Sequence, residues 1–206
     1  MGRLKRAAFF GGTFDPPHNG HLFAVKYVLT HCDIDKLVVV PSYAPPHKSE
    51  NVLNNFDDRM NMAELLFDSV NDSRLLITGV EKDLPEPSFT WQTMEFLEQL
   101  YQGWNFSIII GWDMYMGLQS WSRYDLLMQR YSFIILRREN DIKKDLRTIR
   151  TQDLVLPNPV WDISSTMIRK QLQEYYNNPR GELKEKLEQY FSPDLLEYIL
   201  EKKLYK

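Results

Sequence analysis

A chain of 206 residues with one cysteine, Cys32, cannot close an internal disulfide, and a lone thiol suits a reducing compartment. No apolar run approaches the 18 residues of a membrane span. The opening MGRLKRAAFF holds no apolar core long enough for a signal peptide. Gly2 is followed by RLKR, without the Ser or Thr of a myristoylation site. Nor is positive charge in excess: 25 Lys and Arg stand against 28 Asp and Glu, a net charge of −3. That argues against a general nucleic-acid binder, which carries a basic face. Internal repeats, low-complexity tracts and long linkers are absent too. The expectation is a cytoplasmic protein built as a single domain over residues 1–206, with 182–206 as a C-terminal helical extension.

What is present is a regular alternation. The runs AAFF (7–10), KLVVVP (36–41), RLLITG (74–79), FSIIIG (106–111), YSFIIL (131–136) and DLVLP (153–157) are short and mostly β-branched or aromatic. Strands buried on both faces have this composition. Helical patterns lie between them at 19–31, 57–70, 90–102, 123–130 and 141–150, and two more follow at 182–190 and 193–204. Pro193 suits a first helical turn. Strand and helix in alternation predict an α/β, Rossmann-like, doubly wound parallel sheet with helices on both faces. Ligands of such sheets sit at the carboxyl ends of the strands.

The stretch GGTFDPPHNGHL (11–22) follows the first strand. His18 and His21, three apart at a helix start, share nearly one face. The free N–H groups and positive dipole end there, with two imidazoles, form an anion site, and Gly11 and Gly12 let a ligand approach the backbone. Phosphate is the anion expected. The motif is neither a dinucleotide fingerprint nor a P-loop. Two other readings stand beside it: a turn and helix cap built from Asp15, Pro16 and Asn19, or zinc with His47 and Cys32 as further ligands. In DISSTMIRKQL (162–172), Ser164, Ser165 and Thr166 are good N-cap residues and Arg169 lies one turn into the helix. The pair suggests two helix N-termini at opposite ends of a polyphosphate. The alternative for the second is a capped helix with a solvated arginine.

GGTFDPPHNGHL with ISSTMIR resembles the nucleotidyltransferases whose signatures are (T/H)-x-G-H and I-S-S-T-x-x-R. PSYAPPHK (41–48), PSFTWQT (87–93), IIGWDMYMGLQSW (109–121) and the C-terminal LEYILEKKLY narrow it to the bacterial nicotinate mononucleotide adenylyltransferases, over essentially the whole chain. Pro17, Phe89 and Glu86 depart from the usual pattern.

The resemblance implies adenylyl transfer from ATP to nicotinate mononucleotide, releasing pyrophosphate, with magnesium (Mg2+) carried by the ATP phosphates. It implies His18, His21, Lys48 and Arg169 as catalytic residues. Gly11, Gly12, Thr13, Phe14, Ser164, Ser165 and Thr166 would bind ATP, and Phe89, Thr90, Asp113 and Trp121 the mononucleotide. Lys48 would otherwise be a solvated lysine, and Thr90 an N-cap. Trp104 and Trp112 read as packing residues. The basic stretch 137–150 reads mostly as a solvated helix face, with Arg137 and Arg138 approaching the nucleotide from the end of the fifth strand. Nucleic acid and membrane are not expected as partners, and a homo-oligomer is left open. Two rivals remain: a phosphopantetheine adenylyltransferase, in which Trp121 would lose its purpose, and a nucleotide-binding regulator, which would not need charge at a reacting phosphorus.

Overall fold

Apolar residues at successive positions of a strand require two covered faces, and the unbroken burial of β2 (Lys36–Pro41) from Leu37 onward meets that requirement. Leu37 and Val39 join one hydrophobic cluster, Val38 and Val40 the other. The computed structural model describes residues 3–46, 54–137, 149–159 and 163–206. Its strands are β1 (Arg6–Gly12), β2, β3 (Leu75–Ile77), β4 (Asn105–Gly111), β5 (Ser132–Leu136) and β6 (Leu154–Leu156). They form one parallel sheet in the order β3-β2-β1-β4-β5-β6.

Helices α1 (Asn19–His31), α2 (Phe56–Phe67), α6 (Ser165–Asn177), α7 (Gly181–Glu188) and α8 (Pro193–Glu201) contribute to the first cluster, with Val25, Leu66, Ile168, Leu187 and Ile199 fully buried. Opposite lie α3 (Thr90–Leu100), α4 (Trp112–Met116) and α5 (Tyr124–Arg130), with Leu97, Trp112 and Leu127. Residues 187–205 therefore share one core with the sheet. Tyr198 on α8 donates to Asp58 on α2 at 2.7 Å. Ser192 caps α8, with Pro193 in its first turn. No described helix is long and apolar enough to cross a membrane.

Six of the helices expected from periodicity are present to within a few residues. The short α4 and two 3₁₀ turns, Val80–Asp83 and Leu118–Ser120, had no periodic signal because each is about one turn long. The third strand is three residues rather than six: at an edge it has one partner, and the chain turns away after Thr78 bonds Val39. Most of the 141–150 pattern lies outside the described residues. Arg150 is not part of a solvated face. It pairs with Asp153 and donates to the carbonyls of Tyr131 and Met128.

Two buried charges hold the loops at the carboxyl edge. Arg59, on the apolar stripe of α2 with Met62, Ala63 and Leu66, is only 1% exposed. It donates to the carbonyls of Thr13 (2.8 Å), Ser42 (2.6 Å), Tyr43 (3.2 Å) and Asn54 (3.3 Å), and so joins the loops after β1 and β2 to the start of α2. Glu81, also buried, accepts from Tyr43 N (3.0 Å) and Thr93 Oγ1 (2.7 Å). Ser88 exchanges bonds with Ala44, its N donating to the carbonyl and its Oγ accepting from the amide.

Arg59→Met fills the stem but leaves four carbonyls without a donor. We expect a loss of about 3 kcal/mol in urea unfolding, the scale for breaking a buried charged group's contacts. Arg59→Lys should recover only part, since one ammonium cannot span the fork. An unchanged midpoint in Arg59→Met would refute the clamp.

Burial holds the Glu81 carboxyl above its ordinary value of 4.5, against the opposing hydrogen bonds and the charge of Arg59. A raised carboxyl contributes stability that is full below about 4.5 and lost as pH rises through the folded value. Glu81→Gln can keep an oxygen toward Tyr43 N and donate to Thr93. The difference in Tm between variant and wild type should therefore move in the variant's favour from pH 4.5 to 8. A pH-independent difference would contradict this.

Candidate active site

The strand order reverses between β1 and β4, which are neighbours with crossovers running to opposite sides. Such a reversal opens a crevice beyond the carboxyl ends of the two strands. Gly11 and Gly12 end β1, and Gly111 ends β4. A Cβ on Gly11 would lie 2.6 Å from the Phe9 ring, so no other residue fits there without moving that ring.

From Gly12 the chain enters α1 through two histidines that cap it. His18 is the N-cap, and its Nδ1 accepts from Gly20 N at 3.2 Å. His21, at the third helical position, accepts from His18 N at 3.2 Å through its own Nδ1. Together they form a capping box made of imidazoles. The rings lie 3.8 Å apart, and a Cβ on Gly20 would meet His18 Nδ1 at 2.9 Å, so the glycine makes room for the ring. An Nδ1 that accepts a backbone N–H carries no proton, so each neutral ring bears its hydrogen on Nε2. The cap reading and the anion reading are thus compatible, since they use opposite edges of the rings. Zinc with Cys32 is excluded by distance: Cys32 follows the far end of α1, about 20 Å from His18 at 1.5 Å per residue.

The second helix N-terminus docks on the same loop. Ser164 caps α6 by accepting from Met167 N at 3.2 Å. Ser165 does not cap; its hydroxyl donates to the Pro16 carbonyl at 2.9 Å. Thr166 accepts from Arg169 Nη2 at 3.2 Å, while Arg169 Nη1 donates to the Asp15 carbonyl at 2.8 Å. Arg169 is half-buried and bonded rather than solvated. Asp15 is 3% exposed, and its Oδ1 accepts from Tyr205 (2.7 Å) and Asn54 (2.8 Å). Gly11, Gly12, Thr13, His18, His21, Ser164, Ser165, Thr166 and Arg169 are thereby one connected assembly. Phe14 supports it from the core side. Its side chain is buried against Phe10, Phe67 and the edge of His21, because φ of 50° turns it inward.

Phe89, Thr90, Asp113 and Trp121 are on the α3, α4 and α5 side of the sheet. Phe89, not Thr90, is the N-cap of α3; with no side-chain acceptor it caps through its backbone, its amide donating to Gln92 Oε1 at 2.8 Å and its carbonyl accepting from Gln92 N at 2.9 Å. Thr90 is the first helical residue. Glu86 is exposed between Pro85 and Pro87, as its flanking prolines suggest. Asp113 stands exposed in the first turn of α4, directly after β4. Trp121 is half-buried against the second core cluster, and Trp112 is fully buried. Arg137 directly follows β5, with its backbone paired to the Asn158 side chain. Lys48, His47 and Arg138 lie outside the described residues.

Sequence reasoning missed Arg59, Glu81, Asn54 and Tyr205. Arg59 left a trace, since a charge at 59 falls on the stripe 59, 62, 63, 66. For the other three the partners of the side chain are more than ten residues distant in the chain, and nothing local marks them.

The cytidylyltransferase-like family model matches residues 9–171. A Caldicellulosiruptor bescii protein named "Probable nicotinate-nucleotide adenylyltransferase" is 37% identical over 177 residues, 82% of this chain and 87% of that protein. The nicotinate-nucleotide adenylyltransferase of Bacillus subtilis is 32% identical over 170 residues, 82% and 87% of the two chains. A Plasmodium falciparum nicotinic acid mononucleotide adenylyltransferase, solved in complex with NaAD, shares the fold with a TM-score of 0.80 at 24% identity, covering 98% of this chain and 97% of that one. A glycine-ended β1, an α1 capped by His18 and His21, and an α6 whose Ser165 and Arg169 grip the intervening loop thus accompany similarity along most of the sequence, and this chain belongs to the nicotinate-nucleotide adenylyltransferase family, within the cytidylyltransferase-like nucleotidyltransferases.

Proposed function

We propose that this chain joins ATP and nicotinate mononucleotide to give nicotinate adenine dinucleotide and pyrophosphate, a step of NAD biosynthesis. The observation that carries the reading is the convergence of two helix N-termini, two Nε2–H imidazoles and Arg169 on the loop beyond β1. Such an arrangement favours an extended polyanion. The names of the relatives supply the identity of the substrates.

In this reading the 5′-phosphate oxygen of the mononucleotide attacks the α-phosphorus of ATP in line. One P–O bond forms as the bond to the bridging β-phosphate oxygen breaks, and pyrophosphate departs with that electron pair. An anionic phosphate is already a nucleophile, so no base and no covalent intermediate are required. The protein positions the groups and stabilises charge. His18 and His21 donate through Nε2 to the α- and β-phosphates, and Arg169 meets the departing pyrophosphate beside Thr166 and the amides of α6. Gly11, Gly12 and Thr13 admit the nucleotide against bare backbone. Lys48 is assigned to the reacting phosphates on sequence alone. Asp113 accepts from ribose hydroxyls, and Trp121 stacks on the cationic pyridine ring.

The described residues hold no group of three or more His, Cys, Asp or Glu side chains suited to a cation. Magnesium, which keeps phosphate oxygens and water as ligands, would arrive with the nucleotide and would neutralise its charge. One cysteine suits a reducing compartment, and the reading is of a cytoplasmic enzyme.

The double variant His18→Asn, His21→Gln separates the structural from the chemical role of the histidines. Asparagine at the N-cap and glutamine three residues on rebuild an ordinary capping box without either imidazole. Thermal stability should stay within about 1 kcal/mol, while kcat falls by at least about a hundredfold, as when an electrostatic donor is removed. A stable variant with near wild-type kcat would take the histidines out of the chemistry.

Pyrophosphate release measured with each mononucleotide tests the substrate. The acid should be preferred over the amide: the start of α3 offers Thr90 and free backbone N–H groups, which suit a carboxylate. An amide needs an acceptor as well, and mismatched buried groups are rejected strongly. Equal kcat/KM for the two forms would overturn the preference and leave adenylyl transfer standing. No release with either would overturn the function.

A further inference from the structure

We propose that Tyr205, the penultimate residue of the chain, is a positioning residue for the reaction, acting through Asp15 on Arg169 and the loop that carries the histidines. The inference rests on the function proposed above and deepens it.

After α8 the chain doubles back sharply. Lys203 and Tyr205 both adopt left-handed backbone, with φ of 53° and 68°. Non-glycine residues hold that conformation only where the surroundings fix it. Leu204 N bonds the Ile199 carbonyl at 3.0 Å, and Leu204 and Tyr205 are both buried in the first core cluster. The turn carries the Tyr205 ring beneath the loop beyond β1. There its hydroxyl donates to Asp15 Oδ1 at 2.7 Å, beside Met62 Sδ at 3.8 Å.

Asp15 is the point where this contact meets the site. The same Oδ1 accepts from Asn54 at 2.8 Å. The Asp15 carbonyl receives Arg169 at 2.8 Å, the next carbonyl receives Ser165 at 2.9 Å, and His18 follows two residues later. A shift of the Asp15 side chain would thus move the acceptors that aim α6. Burial and the Asp15 charge push the Tyr205 phenol far above its ordinary value of 10, so it remains a donor throughout the working pH range. Packing alone does not call for the hydroxyl: a phenylalanine would fill the same volume, whereas the tyrosine brings a donor to a buried carboxylate.

The test uses the full-length chain and Tyr205→Phe, with folding checked by circular dichroism well below Tm. Two readouts are taken: kcat and both KM values from pyrophosphate release, and the affinity for inorganic pyrophosphate by calorimetry. We expect kcat to fall about tenfold and pyrophosphate affinity to weaken about tenfold, the scale of one hydrogen bond to a charged group, with KM for the mononucleotide unchanged. Asp15→Asn should show a comparable loss, and the double variant should be no worse than the poorer single one, because both act on one bond. Deletion of Lys206 alone, which is exposed, should leave kcat unaltered.

Wild-type kcat and pyrophosphate affinity in folded Tyr205→Phe would make the hydroxyl a mere anchor and overturn the proposal, as would additive losses with Asp15→Asn. A wild type that binds pyrophosphate more tightly than Tyr205→Phe yet releases none from ATP and nicotinate mononucleotide would overturn the proposed function and keep the positioning role. A wild type that neither binds nor releases pyrophosphate would overturn both.

Discussion

The guanidinium of Arg59 sits inside the protein and bonds four main-chain carbonyls drawn from three separate segments. Loops at the carboxyl edge of a parallel sheet have no ladder to fix them, and their carbonyls would otherwise need water. A planar fork with five donors can satisfy several of these carbonyls at once, which an ammonium cannot. Its burial is costly, and the lowered pKa of Arg59, set by desolvation and opposed by the charges of Asp15 and Glu81, records that cost. The positions of Thr13, Ser42 and Tyr43 follow from it, and so does the path of the chain toward His18.

Around this clamp the site is organised by side chains that bond the main chain. The two histidines spend their Nδ1 atoms on backbone amides and so fix their tautomer and orientation before any ligand arrives. Ser165 and Arg169 likewise bind the backbone of the first motif. The two signatures, about 150 residues apart in the chain, therefore lock each other. A site held by main-chain contacts of this kind is preorganised, and preorganised donors stabilise developing charge without reorganising during the reaction.

Much of the architecture was legible. The runs 36–41 and 106–111 could be little else than doubly buried strands, and the sheet contains them at Lys36–Pro41 and Asn105–Gly111. The 19–31 pattern gives α1 residue for residue. The histidine and ISST motifs were legible because their chemistry is local: capping residues, glycines and cations stand within a few positions of each other. The burial of Phe14 was not legible, since its position beside the glycines gives no hint of its positive φ. Residue type favours Thr90 as an N-cap, whereas the chain begins α3 one residue earlier, with Phe89 at the cap.

Sequence alone determined the strands, most of the helices and the two capped helix starts, because periodicity, capping and turn chemistry act over a few residues. Tertiary structure decided the rest. It placed Arg59 among carbonyls from residues 13, 42, 43 and 54, Glu81 between Tyr43 and Thr93, and Tyr205 against Asp15. Each of these joins segments far apart in the chain, and such partners exist only once hydrophobic burial has folded the sheet and brought its two faces and its C-terminal helices together.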